Sequence, residues 1–198
     1  MALPDDDLPI LAFVSGAEWE AWLTAQPAQS PGLWLKFAKK GLGAPPLSKP
    51  DAIDIALCHG WIDGQLQPFD EHHFLTRFTP RKPASVWSLN NRERALALIE
   101  EGRMRPAGLA QIERAKADGR WERAYASPSR AEIPEDLADA LAAHVTAARF
   151  FDTLNGANRF AILYRLHNAK KPETRARKLA EFIAMLEREE TTHPNKKG

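Results

Sequence analysis

Chain breakers are spread unevenly along this sequence, and that unevenness limits the fold more than any other feature. Fifteen prolines punctuate 198 residues, and most of them part short apolar runs ahead of residue 134, where they enforce many short elements. From Pro134 onward turns become rare and the apolar residues follow helical periodicity. Ile133, Leu137, Leu141, Val145, Ala148 and Phe151 trace one stripe, Phe160, Leu163, Tyr164 and His167 a second, and Leu179, Phe182, Ile183 and Leu186 a third; each has the spacing of one helix face. Asn155-Gly156 and Lys171-Pro172 separate the stripes. The expectation is a C-terminal three-helix segment over 134–198, following an N-terminal domain over 1–126 through the polar link Ser127–Ile133.

Within the first part the elements read in order. Ile10–Val14 is a short strand. Ser15 with Glu18 makes a capping box, and Trp19, Trp22 and Leu23 give the inward face of a helix that Pro27 ends. Leu33–Ala38 alternates as a strand with one face partly wet, and the loop 41–47 follows. Ser48 caps a second helix with Asp51 at the third position and Pro50 in the first turn, and Gly60 suits its C-terminal end. Gln65–Phe69 and Phe74–Thr79 then form an antiparallel hairpin about the turn Asp70–His73. Ser88 opens a helix with Ala95, Leu96 and Ile99 inward, and Pro106 opens another with Leu109 and Ile112 inward. The order predicts an α+β fold, a small antiparallel sheet with packed helices. The tail 192–198 is expected to fray.

Charge is nearly balanced overall, at +1, yet it divides along the chain. Residues 1–76 carry 4 Lys/Arg against 10 Asp/Glu, and residues 77–123 carry 11 against 6. Such a switch either steers an anionic ligand to the second half or draws two halves of one domain together. One cysteine, Cys58, makes no internal disulfide. The acidic start and the short apolar run broken by Pro9 do not resemble a signal peptide, and no window reaches the ~18 apolar residues of a membrane span. No membrane insertion and a cytoplasmic location are expected.

The sign change falls inside 48–91, the densest stretch of chemistry-bearing residues. Cys58 and His59 are adjacent on a helix, so they point about 100° apart and do not make a nucleophile–base pair; a buried cysteine is the simpler expectation. Asp70, Glu71, His72 and His73 have metal-ligand chemistry but are consecutive, and no metal or cofactor is expected. Asp63 lies between the apolar Trp61 and Ile62 and two glycines, and so needs a partner, with Arg77 and Arg81 available. That pair either locks the hairpin or serves a ligand site in which Asp63 acts as acid or base. Thr79, Arg81, Lys82, Ser85, Trp87, Ser88 and Asn91 precede or open the next helix, an arrangement suited to a phosphate or carboxylate. The expected site is therefore Trp61, Asp63, Arg77, Thr79, Arg81, Lys82, Ser85, Trp87, Ser88 and Asn91, binding a small anionic ligand. Lys171, Arg175 and Lys178 form a basic stripe, which at a sequence pI near 7.9 reads as a solvated face, and no nucleic-acid partner is expected.

Four segments carry a family likeness. ALCHGWIDG, FTPRKPASVWS followed by Asn, EGRMRPAGLAQIERAKADGRW and AKKPETRARKLAEFIAMLE, in that order, resemble the YdeI/OmpD-associated family, also called bacteriocin-protection proteins. His59 stands where family patterns more often carry an aromatic residue. The resemblance implies a bacterial protein with a stress or bacteriocin-protection role, a link to an outer-membrane porin, and a helical C-terminal segment over about 134–190. It implies no agreed activity, so three functions stay open: an anionic-ligand binder, a protein-interaction or regulatory module of envelope stress docking through its last helices, and a hydrolase- or transferase-type enzyme using Asp63.

Overall fold

The computed structural model describes residues 4, 7–41 and 46–194; Leu42–Pro45 of the expected loop and the last four residues of the expected frayed tail lie outside them. The chain forms two compact units, Met1–Ala124 and Tyr125–Gly198. The first holds β1 (Ile10–Leu11), α1 (Gly16–Thr24), β2 (Leu33–Ala38), α2 (Lys49–Cys58), β3 (Trp61–Pro68), β4 (His73–Pro80), α3 (Leu89–Glu100) and α4 (Pro106–Ala117); the second holds α5 (Glu135–Ala143), α6 (Val145–Thr153), α7 (Gly156–His167) and α8 (Pro172–Glu187). The class is α+β.

Local chemistry starts the helices where the sequence suggests. Ser15 Oγ accepts from the Glu18 amide at 3.2 Å and the Glu18 carboxylate accepts from the Val14 amide at 3.1 Å, satisfying donors that an open first turn leaves orphaned. Ser48 and Ser88 accept from the Asp51 and Asn91 amides in the same way. The sheet order is β1-β2-β4-β3, and it is mixed, because β1 adds parallel to β2 while β2, β4 and β3 run antiparallel. The hairpin starts earlier than expected, at Trp61, with a bulge between Asp63 and Leu66 that lets Gly64 and Gln65 bow outward.

One face of the sheet, with Leu33, Leu35, Phe37 and Phe78, packs on Trp19 and Leu23 of α1 and Ala52 and Ala56 of α2. Trp19 is fully buried, donates its Nε1 to Ala52 O at 3.0 Å and stacks on Trp22 at 5.5 Å. Removing roughly 200 Å² of indole from water contributes about 5 kcal/mol before entropy is counted. Trp34, expected on the wetter face of β2, is buried as well.

A second core joins α2, α3 and α4 around Trp87 and Trp121, whose rings meet edge to face at 4.8 Å. Here the inward faces differ from expectation. Ala95 and Leu98 are buried, while Leu96 and Ile99 are exposed; Ile112 is buried, while Leu109 is exposed. For α4 the reason lies in Gly108, whose missing side chain lets the helix settle on the end of α2: a Cβ there would stand 2.5 Å from Cys58 O and 2.7 Å from Leu57 O. That contact turns the 108, 112, 115 face inward and leaves Leu109 outside.

In the second unit the first predicted helix is two. Its stripe breaks at His144, at φ −128° and ψ 83°, and the His144 ring meets Glu187 of α8 at 2.7 Å. Leu137, Leu141 and Phe151 enter the core, Ala147 joins them, and Val145 and Ile133 are exposed. Ile162, Leu163 and Leu166 of α7 and Phe182, Ile183 and Leu186 of α8 complete that core. Part of the tail is pinned. The buried Asn158 accepts from the Thr192 hydroxyl and the His193 amide, both at 2.8 Å. Arg175 of the expected basic stripe is spent on Asp136, at 2.6 and 2.8 Å.

Candidate functional site

Two adjoining depressions mark the face of the first unit where β4 leaves the sheet. The smaller, of about 640 Å³, brings together five of the predicted residues: Asp63, Arg77, Thr79, Arg81 and Lys82. Strand pairing explains the grouping. Asp63 registers with Phe78 and Ile62 with Thr79, so Asp63 sits beside the strand that carries Arg77 and Thr79, and Pro80 then turns the chain into Arg81-Lys82. The bulge after Asp63 opens the rim. The described residues lining this hollow include three cationic ones, Arg77, Arg81 and Lys82, and one carboxylate, Asp63.

Arg81 borders the second depression too, of about 1000 Å³, along with Glu20, His59, Trp61, Arg105 and Gln111. Its residue is only 5% exposed, and its position is set from behind. The guanidinium lies 3.6 Å from the Trp87 ring centre, donates to Val86 O at 3.3 Å, and its backbone N–H donates to Gly60 O at 3.0 Å. A desolvated cation over an indole face gains about 2 kcal/mol, and that contact holds Arg81 in a single orientation.

The remaining predicted residues do not line the smaller hollow. Trp61 is buried in the sheet core and borders the larger depression. Trp87 is drawn into the α2–α3–α4 core, where its Nε1 meets no acceptor among the described residues. Ser85 shapes the loop, its Oγ accepting from the Lys82 amide at 3.0 Å and its carbonyl from Arg120 at 2.6 Å. Ser88 and Asn91 form the cap of α3, which occupies the Ser88 hydroxyl and the Asn91 backbone amide.

The sequence did not disclose a cluster at the larger depression. Glu20 Oε1 accepts from Arg105 at 2.6 and 3.2 Å and lies 3.5 Å from His59 Nε2. Hydrogen bonds from Arg105 hold the Glu20 carboxyl below its ordinary range. Three elements supply these residues, and the small Gly60 and Gly108, which let α4 approach α2, were their one sequence-level signal. Cys58 is buried beneath them, and burial pushes its thiol up, opposite to what a nucleophile needs. At the hairpin turn, Asp70 accepts from the His72 and His73 amides at 2.7 Å and contacts the His73 ring at 2.9 Å, so the histidines serve the turn. Among the described residues no group of three or more His, Cys, Asp or Glu is placed to hold a metal, and no helix is long and apolar enough to cross a membrane.

Comparison with known proteins separates the same two regions. A family model described as "Domain of unknown function (DUF8412)" matches residues 11–111, and one described as "Bacteriocin-protection, YdeI or OmpD-Associated" matches residues 130–189. No curated protein and no solved structure matches the chain. Matched over more than half its length by the first model and over α5–α8 by the second, the chain belongs to the DUF8412 family and carries the YdeI/OmpD-associated segment that its sequence resembles.

Proposed function

We propose that the first unit binds a small anionic ligand, of the phosphate or carboxylate class, in the hollow walled by Asp63, Arg77, Thr79, Arg81 and Lys82. The observation that carries this is that three cationic residues and one carboxylate line a single depression of about 640 Å³. Arginine forks match carboxylate and phosphate oxygens in pairs, and Thr79 adds a hydroxyl donor. Because Trp87 already orders Arg81, little side-chain entropy remains to be lost on binding. Asp63 accepts a hydrogen bond from a hydroxyl or protonated oxygen where the ligand carries one. Trp61 at the start of β3 and Ser85 in the loop support the wall, and Ser88 and Asn91 keep α3 in register behind it. A stress or bacteriocin-protection role, exercised in the cytoplasm, is part of the proposal; its support is the family description of residues 130–189.

Thermal denaturation of the full chain in inorganic phosphate, sulfate, diphosphate and malonate tests the proposal. At ~10 mM ligand a millimolar binder adds about 1.4 kcal/mol, or roughly 5 °C in Tm for a unit of this size. The shift is expected to vanish in Lys82→Ala and Arg77→Gln. A flat Tm with all four anions, or an equal shift in both variants, refutes the site.

A further inference from the structure

The second helical stripe of the sequence has an unexpected fate. Its one aliphatic member, Leu163, goes with Ile162 and Leu166 into the core of the second unit. Phe160, Tyr164 and His167 line a cavity of about 170 Å³ with Tyr125, Glu132 and Arg175, which Leu163 borders as well. The rings of Tyr125 and Tyr164 stand at 83° with centres 4.8 Å apart, and Phe160 lies 5.7 Å from Tyr164 and 6.3 Å from Tyr125. Two rings at a right angle make a corner, and the third extends one wall.

We propose that this aromatic corner is a binding site for a small organic cation of the quaternary-ammonium class. Size is the first argument, since an apolar cavity of roughly 150 Å³ accepts a benzene-sized guest, and a trimethylammonium group is no larger. Charge is the second. Ring faces carry negative quadrupole density that attracts cations, and the exposed Glu132 adds a carboxylate at the wall. The positive charge of Arg175 does not oppose this, because its Nε and one Nη are bonded to Asp136 at 2.6 and 2.8 Å while the other Nη donates to Leu166 O at 2.7 Å. An anionic guest would meet Glu132 and three aromatic rings with no uncommitted guanidinium to offset them. A neutral guest of the same shape would gain contact area alone.

Saturation-transfer NMR on the full chain provides the test, with tetramethylammonium and choline as probes and 3,3-dimethylbutanol as choline's neutral isostere. Both cations are expected to saturate with millimolar Kd and the isostere to show no saturable transfer. Tyr164→Ala should weaken choline about tenfold. Glu132→Gln, an exposed change that leaves the core intact, should weaken it about two- to fivefold. Equal binding of the isostere, no saturable binding of either cation, or unchanged affinity in a folded Glu132→Gln together with Tyr164→Phe and Tyr164→Ala overturns the site.

Discussion

Gly108→Ala sets two effects of opposite sign against each other. Alanine in a helix is favoured over glycine by up to about 1 kcal/mol, so propensity alone says the variant is more stable. The new Cβ, however, would meet Cys58 O at 2.5 Å, Leu57 O at 2.7 Å and Met104 Sδ at 2.5 Å. The methionine can swing aside, but the carbonyls belong to the last turn of α2 and cannot. Restoring ordinary contact requires α4 to retreat by nearly 1 Å, which loosens Ile112 and Ala115 and stretches the Arg105 N–H to Cys58 O bond of 3.2 Å. Overpacking costs roughly 1–3 kcal/mol and a weakened buried hydrogen bond about 1 kcal/mol more. The expected outcome is a loss of about 2 kcal/mol, or roughly 1 M in the urea midpoint. All six tryptophans, from Trp19 to Trp121, lie in the first unit, so their fluorescence follows that unit alone. A midpoint equal to or above that of the wild type refutes the claim that a glycine-permitted approach positions α4.

Gly156→Ala should act the other way, raising the stability of the second unit by about 0.5–1 kcal/mol in far-UV circular dichroism melts, because a Cβ at this first residue of α7 meets nothing within 4 Å. Trp19→Phe keeps most of the buried ring but leaves Ala52 O without its donor, and denaturant titration should show about 1–3 kcal/mol lost. The pH dependence of the first unit also follows from geometry. Glu20 has its carboxyl lowered by Arg105 below the ordinary 4.5, so it binds a proton more weakly folded than unfolded; the stability it adds is whole above pH ~4.5 and drains as pH falls through the folded value. Glu20→Gln should therefore flatten tryptophan-detected stability between pH 6 and pH 3, and an unchanged slope would contradict the pairing with Arg105.

What the sequence disclosed was governed by neighbours a few residues apart. Ser15, Ser48 and Ser88 cap their helices as expected because a hydroxyl three residues before an amide needs no tertiary information. The hairpin could be read from alternation about Asp70–His73. Inward faces were less legible, since Leu96 and Leu98, or Leu109 and Ile112, are each apolar enough to face a core; on α4 the choice is made by helix contact at Gly108, which periodicity does not contain. The Glu20–His59–Arg105 cluster spans up to 85 residues of sequence and arises only when α1, α2 and α4 meet. The break at His144 has no proline or glycine to announce it, so a continuous stripe hid two helices. Aromatic side chains on α7 were counted with its aliphatic face, although their packing chemistry differs.

Backbone amide NMR during titration with diphosphate tests the anion hollow most directly. The Gly64, Thr79 and Lys82 amides are expected to shift together, saturate with one Kd, and stop responding in Lys82→Ala. Shifts absent from these three, or centred instead on the His59 and Arg105 amides of the neighbouring depression, would contradict it.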